Sequence, residues 1–219
     1  RLVLGKGERI HVVDATAWTT KAARDARDAA RDDGAVPLLR KDFARARRLM
    51  HAVLRHPDAG PLFAPGRGVP ERSVLWTDDL TGRYCRAMLD RFPALDGPGR
   101  PLAVDLKTTI SVRTRDLVRT VVKYGYDQQA AHYLDGLASL GLVDAGFLFV
   151  FAEARAPHLV RVVQLSQTWL ERGRRRNREA LEVLDRCLDL DDWPGAPPGL
   201  LTLEPPGWLD TDRQDDIDL

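Results

Sequence analysis

Asp105 and Lys107 stand two residues apart in Leu102-Ala-Val-Asp-Leu-Lys-Thr-Thr109. A second acid, Asp90, closes the preceding run Arg83-Tyr-Cys-Arg-Ala-Met-Leu-Asp90. Both runs have the composition of β-strands. Side chains i and i+2 of a strand point to one face, so Asp105 and Lys107 project together behind Ala103. Leu102, Val104 and Leu106 fill the opposite, apolar face. Asp90, at the end of its strand, can reach the same place. Two carboxylates and an ammonium group on neighbouring strands can hold a hard divalent cation through oxygen and stabilise charge on a phosphate. The bland reading of an isolated D-x-K triplet is a pair of exposed strand-end charges. Against it stands the setting of Asp105 in an otherwise apolar strand, where an uncompensated charge is costly. Gln129 and Tyr133 follow at i,i+4, on one face of a helix. They can support such a site and offer a phenol ring to a base or sugar, or they can be a core tyrosine bonded to a glutamine one turn away. Tyr126 lies just before them, behind Gly125.

The elements that must position these groups can be read in outline. Residues 1–18 read as a loop and a short strand over 10–13, and Thr19 and Thr20 can cap a helix running to about residue 33, ended by Gly34. A second helix is expected over 41–55, with Phe43, Ala46, Leu49, Met50 and Val53 at helical spacing, stopped by His56-Pro57. Residues 57–70 are rich in proline and glycine and read as a loop. Strands are expected over 71–76, 83–90 and 102–108, with a tight loop at 96–99. Helices follow over 115–123 and 127–140. Strands are expected over 146–152, nearly all apolar as in a buried strand, and 158–165. Ser166 then caps a long helix to about 188. The order predicts an α/β fold: a central mixed β-sheet flanked by helices, with helical additions at both ends. By region, 1–70 is the N-terminal helical part, 71–190 the core, and 191–219 a Pro/Gly-rich and acidic tail.

The 219 residues are 44% hydrophobic, enough for a substantial core. Lysine plus arginine number 33 against 32 aspartates and glutamates, so net charge announces no nucleic-acid binder. The distribution says more. Arg172, Arg174, Arg175, Arg176 and Arg178 cluster on the late helix, where Arg172, Arg175 and Arg176 share a face. That face is either solvated or a phosphate-tracking patch. Asp210, Asp212, Asp215, Asp216 and Asp218 load the C-terminus and read as solubilising. The five tryptophans are scattered and read as packing anchors. Two distant cysteines, Cys85 and Cys187, exclude an iron–sulfur cluster held by four cysteines of this chain. They argue against a disulfide framework and suit a reducing cytoplasm. There is no apolar run of about 18 residues for a membrane span and no signal peptide. The chain opens at Arg1 rather than methionine and reads as a fragment.

Taken together, Glu71-x-Ser73, Trp76, Gly82, Asp90, Asp105-Leu-Lys107-Thr-Thr and Gly125-Tyr-Asp-Gln-Gln129-Ala-Ala-His-Tyr133 make the chain resemble the PD-(D/E)xK nuclease superfamily. The branch it looks like is the RecE-like (exonuclease VIII-like) phage and prophage exonucleases, related to the RecB nuclease domain. The resemblance runs over about 2–208. It implies a restriction-endonuclease-like core and roles for individual residues. Asp90 and Asp105 would bind metal, with the backbone carbonyl of Leu106 completing the shell, and Glu71 would be a further acid at the first core strand. Lys107 would be the catalytic lysine. Gln129 and Tyr133 match the Gln-x-x-x-Tyr motif that supports the site and touches DNA. Relatives carry a further histidine in a Gly-x-x-x-His setting, upstream of the segment that Leu2-Val-Leu-Gly5 resembles. Here His51 could stand in for it or be an ordinary helical histidine. The implied function is Mg²⁺-dependent hydrolysis of linear double-stranded DNA, with Mn²⁺ able to substitute. It would resect ends 5′ to 3′ for a single-strand-annealing partner, in the cytoplasm of a bacterial host, as a possible homo-oligomeric ring. The alternatives are an endonuclease or nickase, a RecB-like nuclease module, or a catalytically inactive DNA-binding or scaffold protein.

Overall fold

Apolar residues alternate by face along the central strands, and the architecture follows from which helices cover each face. In the computed structural model, which describes residues 2–95 and 99–205, five strands form one sheet. These are β3 (Gly68–Thr77), β4 (Tyr84–Pro93), β5 (Leu102–Thr109), β6 (Gly146–Glu153) and β7 (Val160–Val163), paired in that order. The β5–β6 pair is parallel and the others are antiparallel, so the sheet is mixed. A parallel pair needs a crossover, supplied here by α3 (Thr114–Tyr124) and α4 (Tyr126–Ser139). Gly125 joins these helices at φ 64°, capping α3 with its own amide. This left-handed conformation is one that a side chain disfavours.

One face of the sheet packs Val74, Ala87, Leu89, Ala103, Phe147, Phe149 and Phe151 against Leu117 of α3 and Ala130 and Leu137 of α4. The other face packs Val104, Val150 and Ala152 against Phe63 and Val53. Val53 lies on α2 (Arg40–Arg55). β6 is covered on both faces, which explains its unbroken apolar sequence. Each buried phenylalanine or leucine contributes roughly 1.5–3 kcal/mol. Along β5 the same alternation sends Ala103 to the α4 side and Val104 and Leu106 to the α2 side.

The N-terminal part carries the short strand expected over 10–13 and a second strand that was not expected. β1 (Arg9–Val13) and β2 (Ala35–Leu39) pair in parallel around α1 (Lys21–Asp32). Thr20 caps α1, its hydroxyl accepting from the Ala23 amide at 3.2 Å. Segment 34–39 hides its strand character behind Pro37, which lacks an amide donor. In a two-stranded sheet every strand has a free edge, and there proline is tolerated.

Residues Arg1–Asp185 form one compact unit and Arg186–Leu219 a second. α5 (Gln167–Leu190) spans the boundary, and residues 192–205 contain no helix or strand. The tip of the expected 96–99 loop, Trp208 and the acidic aspartates from Asp210 onward lie outside the described residues. No helix is long and apolar enough to cross a membrane among the described residues.

Candidate active site

β4 runs past the expected end at Asp90 to Pro93, so Asp90 lies inside a strand. Arg91 pairs with Val104 of β5, and continuing that register sets Asp90 opposite Asp105. The Leu106 amide donates to Asp90 Oδ2 at 2.8 Å. A side-chain carboxylate thus takes the amide that a neighbouring main chain would otherwise accept. This fixes Asp90 against the strand that carries Asp105 and Lys107.

Asp105 is shielded, with 4% of its side chain exposed, and its two oxygens meet different groups. Gln129 Nε2 donates to Oδ1 at 3.0 Å. Lys107 Nζ lies 2.6 Å from Oδ2. That approach has ion-pair distance without hydrogen-bond alignment, since Oδ2 is buried and accepts no hydrogen bond. Burial pushes the Asp105 carboxyl above its ordinary range; Lys107 pulls it down, the Asp90 charge pushes it up, and Gln129 pulls it down. The net upward direction describes an acid whose negative charge is incompletely compensated. An orphaned, buried carboxylate oxygen facing a second acid fits a site for a hard cation with oxygen ligands.

Lys107 is held from below by an aromatic ring, its Nζ 4.9 Å from the Tyr126 centroid. A cation over the face of a tyrosine is attracted by the ring quadrupole. Tyr126 is itself packed on Phe149, at 5.3 Å between centroids. Gln129 and Tyr126 share the first turns of α4, which therefore delivers two groups to the acids at once.

Glu71 sits at the register position opposite Asp90, between the pairs Pro70–Arg91 and Arg72–Leu89. Its backbone takes a left-handed φ of 49°, uncommon for a non-glycine residue. No third Asp, Glu, His or Cys joins Asp90 and Asp105 in a metal-holding group among the described residues. Tyr133 follows Gln129 by one turn, but its ring packs edge-on against Phe147 in the core, 5.7 Å between centroids. His51 is exposed on α2 and belongs to no such cluster.

Four arginines of α5 are ion-paired with acids elsewhere in the chain. Arg172 pairs with Asp127 through a short contact, and Arg176 Nη1 lies 3.6 Å from the other oxygen of the same carboxylate. Asp127 has 0% exposure. Arg174 binds Asp135 at 2.8 Å, and Arg178 binds both oxygens of Asp78 at 2.9 and 2.6 Å. Arg175 lines a cavity of about 350 Å³ with Trp76 and His132. Of the expected face, Arg175 is exposed, while Arg172 and Arg176 pair with Asp127 and keep 35% and 38% of their side chains exposed. Asp127 escaped the sequence reading because its partners lie 45 or more residues away. The only local signal is an acid in the first turn of a helix. Its effect is to lock α4 to α5, together with Asn177 Nδ2, which donates to the Gln128 carbonyl at 2.9 Å.

A family model described as a PDDEXK-like domain of unknown function (DUF3799) matches residues 16–198. Among solved structures, the chain is similar to a "Putative exonuclease" from Eubacterium rectale. That likeness has 16% identity over 87% of this chain and 73% of that one, with a TM-score of 0.57, and it shows the fold alone. Similarity to SSO0001 is slighter: 12% identity over 60% of this chain and 65% of that one, with a TM-score of 0.31, too low to carry an argument. No curated protein matches.

Proposed function

The chain belongs to the PDDEXK-like family DUF3799, and from that premise we propose that it is a metal-dependent nuclease whose site is built on Asp90, Asp105, Lys107 and Gln129. The observation that carries this reading is the state of Asp105. It is buried, one oxygen is fixed by Gln129, and the other is orphaned beside Lys107 and opposite Asp90.

Asp90, Asp105 and the Leu106 carbonyl would hold a divalent cation, Mg²⁺ by preference and Mn²⁺ as a substitute. When bound, such a cation neutralises charge on a phosphate and lowers the pKa of coordinated water. The chain's own groups do the rest. Gln129 fixes the rotation of the Asp105 carboxylate, as outer-shell partners do for metal ligands. Lys107 presents a compact positive charge to the phosphate oxygens as negative charge develops there. Tyr126 holds that ammonium over its ring and keeps it directed toward the acids.

The substrate we assign is linear double-stranded DNA, attacked from its ends in the 5′ to 3′ direction, as the resemblance to RecE-like exonucleases implies. A single-strand-annealing protein would take the exposed strand. The setting is the cytoplasm of a bacterial host or a prophage-carrying cell, and a ring of identical chains would let the enzyme stay on one end. The test is digestion of end-labelled linear duplex beside closed circular DNA with Mg²⁺. Mononucleotides released from the linear substrate alone support the exonuclease. Cutting of the circle replaces it with an endonuclease or nickase. Binding without any cleavage makes the chain an inactive DNA-binding module.

A further inference from the structure

Beyond Lys107, at the C-terminal end of β5, lies a cavity of about 530 Å³. That size suits a small ligand. It shares Tyr126 with the site already described, so the two adjoin. A second ring follows. Tyr124 stacks on Tyr126 with centroids 5.7 Å apart and planes 25° apart. Unlike its neighbour, Tyr124 is 59% exposed. Lys123 Nζ lies 5.3 Å from the Tyr124 centroid, on a flexible and exposed side chain. Ile110 is 88% exposed at the same rim. The walls carry the hydroxyls of Thr108, Ser111 and Thr120, and Arg119 and Lys123 outnumber the single acid, Asp116.

Tyr124 presents its ring next to two cations and a row of hydroxyls, one ring beyond the tyrosine that carries the candidate phosphate-cleaving lysine. Aromatic rings with interleaved cations bind single-stranded nucleic acid, the ring stacking on a base and the cations following the backbone. Hydroxyls and cations contact phosphate and sugar without reading sequence. Within a duplex both faces of every internal base are covered by neighbouring pairs, so beyond the terminal pair of a blunt end such a ring can stack only on an unpaired base.

We propose that this cavity holds the nucleotide adjoining the scissile phosphate, unpaired, with its base stacked on Tyr124. The proposal rests on the nuclease reading and deepens it: the site takes frayed or overhanging ends rather than intact duplex.

The experiment uses the full chain in a Lys107→Ala background, so that bound DNA is not consumed. Fluorescence anisotropy measures binding to duplexes with a short single-stranded overhang, either bearing bases or abasic. The base-bearing overhang is expected to bind roughly 5- to 100-fold more tightly than the abasic one. Tyr124→Ala is expected to erase that ratio, and Tyr124→Phe, which keeps the ring, to preserve it. An unchanged melting temperature for Tyr124→Ala confirms that an exposed side chain was removed from a folded protein. A ratio the same in Tyr124→Ala as in its parent overturns the proposal while leaving the nuclease reading intact, provided the native chain cleaves DNA. A native chain that neither binds nor cleaves DNA overturns both.

Discussion

Gln129 Nε2 donates to Asp105 Oδ1 at 3.0 Å, so the second turn of α4 sets the rotation of the carboxylate at the centre of β5. The bond leaves the other oxygen, buried and unaligned, for Lys107 and a cation. Gln129→Ala would free the carboxylate to rotate and leave Oδ1 without its amide donor. Loss of an outer-shell partner of this kind costs about 10- to 100-fold in metal affinity or activity. Titration with Mn²⁺ followed by thermal shift would read the affinity, and steady-state cleavage the activity.

Asp105→Asn separates the cation's contribution from the fold's. The native carboxyl is held above its ordinary range, chiefly by burial, so an uncharged isostere relieves a penalty. The melting temperature without cation should be unchanged or higher. The native protein should gain about 2.7 kcal/mol at a Mn²⁺ concentration 100 times its dissociation constant. For a chain of this size that is roughly 5–10 °C. Asp105→Asn should lose this shift. A Mn²⁺ shift of native size in the variant would place the cation elsewhere.

The link between α4 and α5 carries a stability prediction. Asp127 is fully buried and shared by Arg172 and Arg176. Asp127→Ala would leave two half-exposed guanidinium groups without their shared carboxylate, at a cost of about 1–3 kcal/mol. Gly173→Ala should act at the same seam, since a Cβ there would meet the Asp127 carbonyl oxygen at 2.2 Å. Overpacking of this kind costs about 1–3 kcal/mol. Urea denaturation monitored by circular dichroism measures both. A midpoint unmoved by Asp127→Ala would refute the clamp.

The Asp78–Arg178 pair predicts an acid limb in stability. The guanidinium hydrogen bonds from Arg178 hold the Asp78 carboxyl well below the usual carboxylate range. A carboxyl depressed in the folded state stabilises the protein above its unfolded pKa of about 3.9. That contribution is lost as pH falls through the lower, folded value. Urea midpoints should therefore drop between about pH 4 and pH 2, and Asp78→Asn should flatten that part of the profile while lowering stability at pH 7. An equally steep limb in the variant would assign acid sensitivity to other carboxylates.

Much of the site was legible because its signals are local. A two-residue step puts Asp105 and Lys107 on one face of a strand, and a four-residue step puts Gln129 on a defined helix face; both follow from backbone geometry. What could not be read depends on long-range pairing. The fate of the arginines at 172–178 turned on Asp127, Asp135 and Asp78, three or more elements back along the chain, and charge alone does not name a partner. Tyr133 illustrates the same limit: its spacing from Gln129 was right, but Phe147 decides where its ring lies. β2 was concealed by Pro37, whose cost depends on whether the strand has a free edge. The hold of Asp90 on the Leu106 amide has no sequence mark beyond the acid itself.

The central claim is that Asp90, Asp105 and Lys107 form a cation-dependent hydrolytic site. The most direct test is cleavage of end-labelled linear duplex DNA by the native chain with Mg²⁺, beside EDTA and a Lys107→Ala variant of native melting temperature. The account predicts cleavage that EDTA abolishes and that Lys107→Ala reduces by about 10²- to 10⁴-fold. Cleavage of native rate by Lys107→Ala, or cleavage that persists in EDTA, would contradict it.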